Sequence, residues 1–131
     1  MLNIDGVKLS LLKHIVVPGG DVFHAMKNSD PGYDGFGEAY FSTVEPNAIK
    51  AWKRHNTMTL NLVVPIGAIR FIIYDDRDDS PSRDQFYEVT LSRKNYFRLT
   101  VPPMVWMGFQ CAGNVTTMFL NIANIPHVPN E

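Results

Sequence analysis

The chain has 131 residues, 45% of them apolar and 19% charged, enough for one domain (1–131) with a real core. A formal net charge of -1 gives no electrostatic case for nucleic acid or an anionic membrane, and no apolar run approaches a membrane span. The lone Cys111 excludes an internal disulfide and a multi-cysteine zinc site; with no signal-peptide layout at the N-terminus, a reducing cytoplasm is the expected setting.

Short β-type runs dominate the chain and helical periodicity is scarce. Residues 7–12 and 15–17 come first, the latter stopped by Pro18-Gly19-Gly20. Over 21–27 a helical turn competes, and 29–35 is a Pro/Gly/Asp loop. Residues 38–44 read as a strand ended by Glu45-Pro46-Asn47. The stretch 49–64 follows as one or two strands, with a turn predicted at Pro65-Ile66-Gly67. In 68–74, Ile69, Phe71 and Ile73 share one face while Arg70 and Ile72 take the other. The charged loop 75–83 is too long for a tight hairpin. Four further strands are predicted at 86–91, 96–101, 106–111 and 115–121, and Pro126 and Pro129 argue against a terminal helix. Many short strands at regular spacing predict an all-β antiparallel barrel or double-sheet roll, with no internal repeat or linker.

Several motifs are more specific. Asp75-x-Arg77-x-x-Ser80-Pro81-Ser82, Gln85-Phe86, Leu91-Ser92-x-x-Asn95-x-x-Arg98-Leu99-x-Val101-Pro102 and Gly108-Phe109 follow one another in fixed order. That order closely resembles the central segment of the dTDP-4-dehydrorhamnose 3,5-epimerase family, and the likeness runs from about Gly19 onward. Pro65-x-Gly67 is similar to the turn between the two halves of a first cupin motif. The resemblance implies a cupin jelly-roll β-barrel, a nucleotide-linked keto-sugar as ligand, no cofactor, a homodimer, and a place in deoxysugar or surface polysaccharide biosynthesis.

The same resemblance gives a register for residues 47–55. Against the epimerase pattern Arg-Gly-Leu-His-Tyr-Gln, Lys50 stands at the arginine, Lys53 at the catalytic histidine and His55 at the glutamine. Against the related sugar 3,4-ketoisomerases, with Arg-Gly-x-His-x-His, Lys53 and His55 fall on the two histidines. Trp106 after Pro102-Pro103 resembles the ketoisomerase Pro-x-x-x-Trp-His pattern. The departures are Met107 at the histidine before Gly-Phe, Leu120 at the epimerase tyrosine, and Glu38 where ketoisomerases carry a substrate-contacting arginine.

Epimerisation beside a ketone needs a base to take a carbon-bound proton and an acid to return one. Lys53 and His55, two apart on a strand, would point to one side. If that side is the interior, they form an ionisable pair in a low-dielectric pocket; otherwise Lys50, Lys53 and Arg54 describe a solvated edge strand. Tyr40, Tyr74 and Tyr96 are the phenols available as donors, with Tyr40 preferred because its strand precedes that of Lys53. Lys50 and Arg98 are expected to grip a diphosphate, Glu38 to border the ligand, and Trp52 and Trp106 to wall the sugar. Asp75 and Arg77 either hold a phosphate or pin their own loop. A metal site is not expected, because Lys53-Arg54-His55 offers one imidazole without a following glutamate, and His14, His24 and His127 read as surface residues. The alternative function is a non-catalytic cupin that binds a sugar nucleotide or carbohydrate, or serves in an assembly.

Overall fold

Apolar side chains at every second position drive this chain into stacked sheets rather than helices. The computed structural model describes residues 2–131. Its strands are β1 (Lys8–Leu11), β2 (His14–Ile15), β3 (Val22–Phe23), β4 (Glu38–Val44), β5 (Ile49–Lys53) and β6 (Leu60–Ile66), followed by β7 (Ala68–Tyr74), β8 (Phe86–Ser92), β9 (Phe97–Val101), β10 (Trp106–Cys111) and β11 (Thr117–Ala123). One sheet has the order β1-β9-β6-β11-β4, the other β5-β10-β7-β8, and β2 pairs with β3 alone. This antiparallel double-sheet roll is the expected cupin jelly roll, with no helix among the described residues.

The core lies between the two sheets. Ile69, Phe71 and Ile73 are fully buried on β7, and they face Leu60, Leu62 and Val64 of β6, Leu99 and Val101 of β9, and Phe119 of β11. Each such side chain contributes about 1.5–3 kcal/mol by leaving water. Cys111 is buried in the same cluster. The expected turn at 65–67 narrows to one residue, because β6 runs through Pro65 to Ile66. Gly67 makes the reversal at φ 81°, and a Cβ there would collide with Thr117, whose hydroxyl accepts a hydrogen bond from the Ala68 amide at 3.2 Å.

On its outer face the larger sheet carries a second apolar cluster of Leu12, Val63 and Tyr96, joined by Phe23, Ala25 and Leu120. Residues 22–31 lie over it. The helical turn that competed at 21–27 does not form: Val22–Phe23 pairs with His14–Ile15, and the chain beyond is held by its carbonyls. Tyr96 donates to the His24 carbonyl at 2.7 Å, and Arg98 to those of Ala25 and Pro31 at 2.9 and 2.7 Å. Those bonds hold the segment without an intrahelical ladder.

The charged loop after β7 is pinned in the same way. Asp75 is fully buried and accepts from Arg77 Nε at 2.8 Å, the Arg77 amide at 3.1 Å, Ser82 Oγ at 2.6 Å and Ser80 Oγ at 2.5 Å. The guanidinium of Arg77 holds the Asp75 carboxyl far below the usual carboxylate range. Of the two roles open to this pair, the loop pin is the one the geometry displays.

Candidate active site at the open edge of the roll

The two sheets part at one edge, between β4 of the larger and β5 of the smaller, and leave a cavity of about 530 Å³. Leu60, Leu62, Phe109 and Phe119 line its apolar floor, and Tyr40, Asn121, Lys50, Lys53 and His55 bring polar groups to it. No carboxylate is among the lining residues. An apolar pocket with a few converging cationic and hydroxyl groups suits an anionic sugar derivative.

β5 forms the cationic wall through an irregularity in its pairing. Lys50 and Lys53 are three apart and would point to opposite faces of a regular strand. Against β10, however, Lys53 stands opposite Met107 and Lys50 opposite Phe109, with a register shift between. The extra residue on β5 is a bulge, and it turns both lysines to the side taken by Met107 and Phe109, the cavity side. Gly108 makes this approach possible: a Cβ there would lie 2.9 Å from the Ala51 Cβ. All five β5 residues are nonetheless solvent-exposed, so Lys53 flanks the cavity without being enclosed by it.

His55 is the enclosed ionisable group. It lies just past the end of β5 and is only 8% exposed, and its carbonyl accepts from the Met104 amide at 2.7 Å. Burial, and then the charge of Lys53, push its pKa below the ordinary imidazole value, so the ring is neutral near pH 7. Its Nδ1 is buried without a hydrogen-bond partner and lies 3.9 Å from Oε2 of Glu131. That carboxylate is itself held by the amides of Thr57 and Met58, at 2.7 and 2.6 Å, and by the Thr57 hydroxyl at 2.7 Å. These donors lower its pKa to about 2.

The opposite wall comes from the β4–β11 pair. Tyr40 and Asn121 are direct neighbours in the antiparallel ladder, and Asn121 Nδ2 donates to the Tyr40 hydroxyl at 3.0 Å. Accepting that bond leaves the phenolic proton free to be given elsewhere.

No protein-family model matches the chain. Among solved structures, a dTDP sugar isomerase from Desulfovibrio desulfuricans is 42% identical, aligns over 100% of this chain and 84% of its own, and superposes with a TM-score of 0.96. The chain belongs to the dTDP-sugar isomerase and epimerase family of cupins.

A more distant solved structure shares the fold, and two curated proteins are similar in sequence. The epimerase of Legionella pneumophila, solved with dTDP-4-keto-L-rhamnose, is 20% identical and has a TM-score of 0.85, over 98% of this chain and 71% of its own. A probable low-salt glycan biosynthesis epimerase of Haloferax volcanii is 31% identical over 84 residues, which is 63% of this chain and about half (54%) of that relative. A spore coat polysaccharide biosynthesis protein of Bacillus subtilis is 23% identical over 98% of this chain and 85% of its own.

Within this family frame, Lys50, Trp52, Lys53, His55 and Tyr40 line one cavity, and three other residues expected at the ligand lie elsewhere. Arg98 is 1% exposed under residues 22–31, where its guanidinium meets the Ala25 and Pro31 carbonyls and lies 3.4 Å from Asp30. Its Nε is left without a hydrogen-bond partner, but it is buried there, away from the cavity. Trp106 shares its side of β10 with Gly108, away from the cavity; its Nε1 donates to Asp76 at 2.9 Å and Arg54 stacks over its ring. Glu38, expected to border the ligand, accepts from the His127 amide at 2.9 Å and is absent from the cavity lining.

Two residues of the site were not anticipated. Asn121 interrupts the apolar run Met118-Phe119-Leu120, and a polar residue inside such a run was the signal that could have exposed it. Glu131 has no local signal, because it reaches His55 only through the fold.

Proposed function

We propose that the protein epimerises or isomerises a nucleotide-linked 4-keto-6-deoxyhexose of the dTDP type, in deoxysugar or surface polysaccharide biosynthesis. The observation carrying this reading is the cavity itself, which sets a buried neutral imidazole on one wall and a hydroxyl on the other above an apolar floor. His55 takes the proton from the carbon beside the ketone, and the C–H electron pair becomes the enolate. Lys53 stabilises the enolate oxygen, and Tyr40 returns a proton from the β4 side. Lys50 pairs with the diphosphate, while the ring of Trp52, 48% exposed, packs over Gly108 on the outer side of β10 and only borders the cavity.

The chain is further proposed to act as a cytoplasmic homodimer. Its one thiol, Cys111, is free and buried, in keeping with a reducing compartment. Phe41 and Ile66 are 62% and 48% exposed on the outer face of the larger sheet, an apolar surface suited to a second copy. Sedimentation that finds a concentration-independent monomer removes the dimer.

Incubation with dTDP-4-keto-6-deoxyglucose in deuterated water tests the chemistry. Deuterium should enter beside the ketone, as read by proton NMR. Binding of dTDP with no exchange into this or other nucleotide keto-sugars assigns the non-catalytic alternative instead.

A further inference from the structure

We infer that Asn121 is a positioning residue for Tyr40: its amide holds the phenol oxygen and turns the hydroxyl proton toward the bound sugar. The inference rests on the proposed function for its consequence in catalysis, while the hydrogen bond itself stands on the geometry.

The first observation is where the hydroxyl protons go. Of the three phenols weighed as donors, Tyr74 gives its proton to Asp84 at 3.1 Å and Tyr96 to the His24 carbonyl at 2.7 Å. Tyr40 instead receives one, from Asn121 Nδ2 at 3.0 Å. The second is the setting of the amide. Asn121 is 3% exposed and shares the cavity with Leu60, Leu62 and Phe119; in the sheet it stands between Tyr40 and Leu62. Its Oδ1 is buried without a hydrogen-bond partner, so an apolar side chain would cost less at this position. Nor is the pair needed as a tie, since β4 and β11 already pair along their whole lengths. The third is that Tyr40 is 42% exposed, so without the amide its hydroxyl would turn freely to water.

The amide therefore does two things. With a donor already on the phenol oxygen, the hydroxyl hydrogen has to point away from Asn121, which leaves it for the ligand. As that proton leaves, the same N–H faces a phenolate, and a hydrogen bond to an anion is roughly twice as strong as one to a neutral acceptor. The gain exists in the transition state and is absent when substrate first binds, so it raises kcat and leaves KM alone.

The test uses the full chain. In Asn121→Leu the phenol loses its donor, which water replaces at the half-buried Tyr40, and the unpartnered carbonyl disappears. The denaturation midpoint should stay level or rise, while deuterium exchange into the keto-sugar falls about 10–100-fold in kcat with KM little changed. Tyr40→Phe should lose about 10²–10⁴-fold. The double variant should be no slower than Tyr40→Phe alone, because an amide that works through the phenol has nothing left to hold. In ¹⁵N-labelled wild type without substrate, one proton of the Asn121 side-chain amide should lie downfield, and Tyr40→Phe should return it. Asn121→Leu that lowers the midpoint and leaves kcat unchanged overturns the inference, since a merely structural tie behaves that way. So does a full further loss of rate when Asn121→Leu is added to Tyr40→Phe, or an amide signal indifferent to Tyr40→Phe. Should the wild type exchange no deuterium at all, the proposed function falls, and the amide signal alone decides whether Asn121 holds Tyr40.

Discussion

Arg98 separates a structural from a ligand-binding role for the most deeply buried cation of the chain. In Arg98→Met the side chain keeps much of its volume and loses its two bonds to the Ala25 and Pro31 carbonyls. Hydrogen bonds from charged donors contribute about 1.5–3 kcal/mol each, so the gross loss is about 3–6 kcal/mol. Against that, removing a guanidinium that is 1% exposed relieves desolvation, and apolar replacement of buried ions returns about 1–4 kcal/mol. Taking the middle of each range, the net cost is about 2 kcal/mol. For a domain of this size that lowers Tm by about 10 °C, and the urea midpoint shifts with it. Calorimetric titration of the folded variant with dTDP, at a temperature well below its transition, should give a Kd within about twofold of wild type. A variant of unchanged stability that binds dTDP tenfold more weakly would refute the placement of Arg98 as a loop anchor.

Asp75→Asn should destabilise by about 2–4 kcal/mol at pH 7, since it strips the charge partner from Arg77 inside a buried network. The folded pKa of Asp75 is depressed, so its stabilisation is fully present above the ordinary carboxylate pKa of about 4 and declines as pH falls below it. Wild type and variant should accordingly converge in urea midpoint on acidification below about pH 4, and a constant difference down to pH 2 would count against the network. Gly108→Ala places a methyl against Ala51 and should cost about 1–3 kcal/mol, with a drop in exchange activity from the displaced β5 wall. The imidazole of His55 must be neutral to act as base, and its pKa lies below the usual 6.5. The exchange rate should therefore stay flat as pH falls to about 6.5 and decline only below that. His55→Gln should remove about 10²–10⁴-fold of the rate. An acid limb centred above pH 6.5 would reassign the base.

The roll was legible because its signals are local. Ile69, Phe71 and Ile73 alternate with Arg70 and Ile72, and that period alone puts β7 across the core. Gly67 announces its reversal because few other residues accept that φ. The site was legible only in part. Lys53 and His55 could be placed on the right stretch of chain, yet strand period sends Lys50 to the wrong face, and only the partner strand reveals the bulge that brings it back. Arg98 looked like a ligand contact because a sequence displays its charge and hides the carbonyls of Ala25 and Pro31 that absorb it. The helical turn at 21–27 failed for a related reason, since side chains on distant strands claim its backbone.

The cationic wall of this cavity is a strand with a neighbour on one side only, out of step with that neighbour by a single residue. An insertion or deletion just outside the Lys50–Lys53 stretch, by slipping β5 one residue against β10, would turn the lysines outward and bring the side chains between them in, while the other strands kept their places. New specificity for a differently charged sugar can therefore arise at this margin through a change of length, with the interior of the roll untouched.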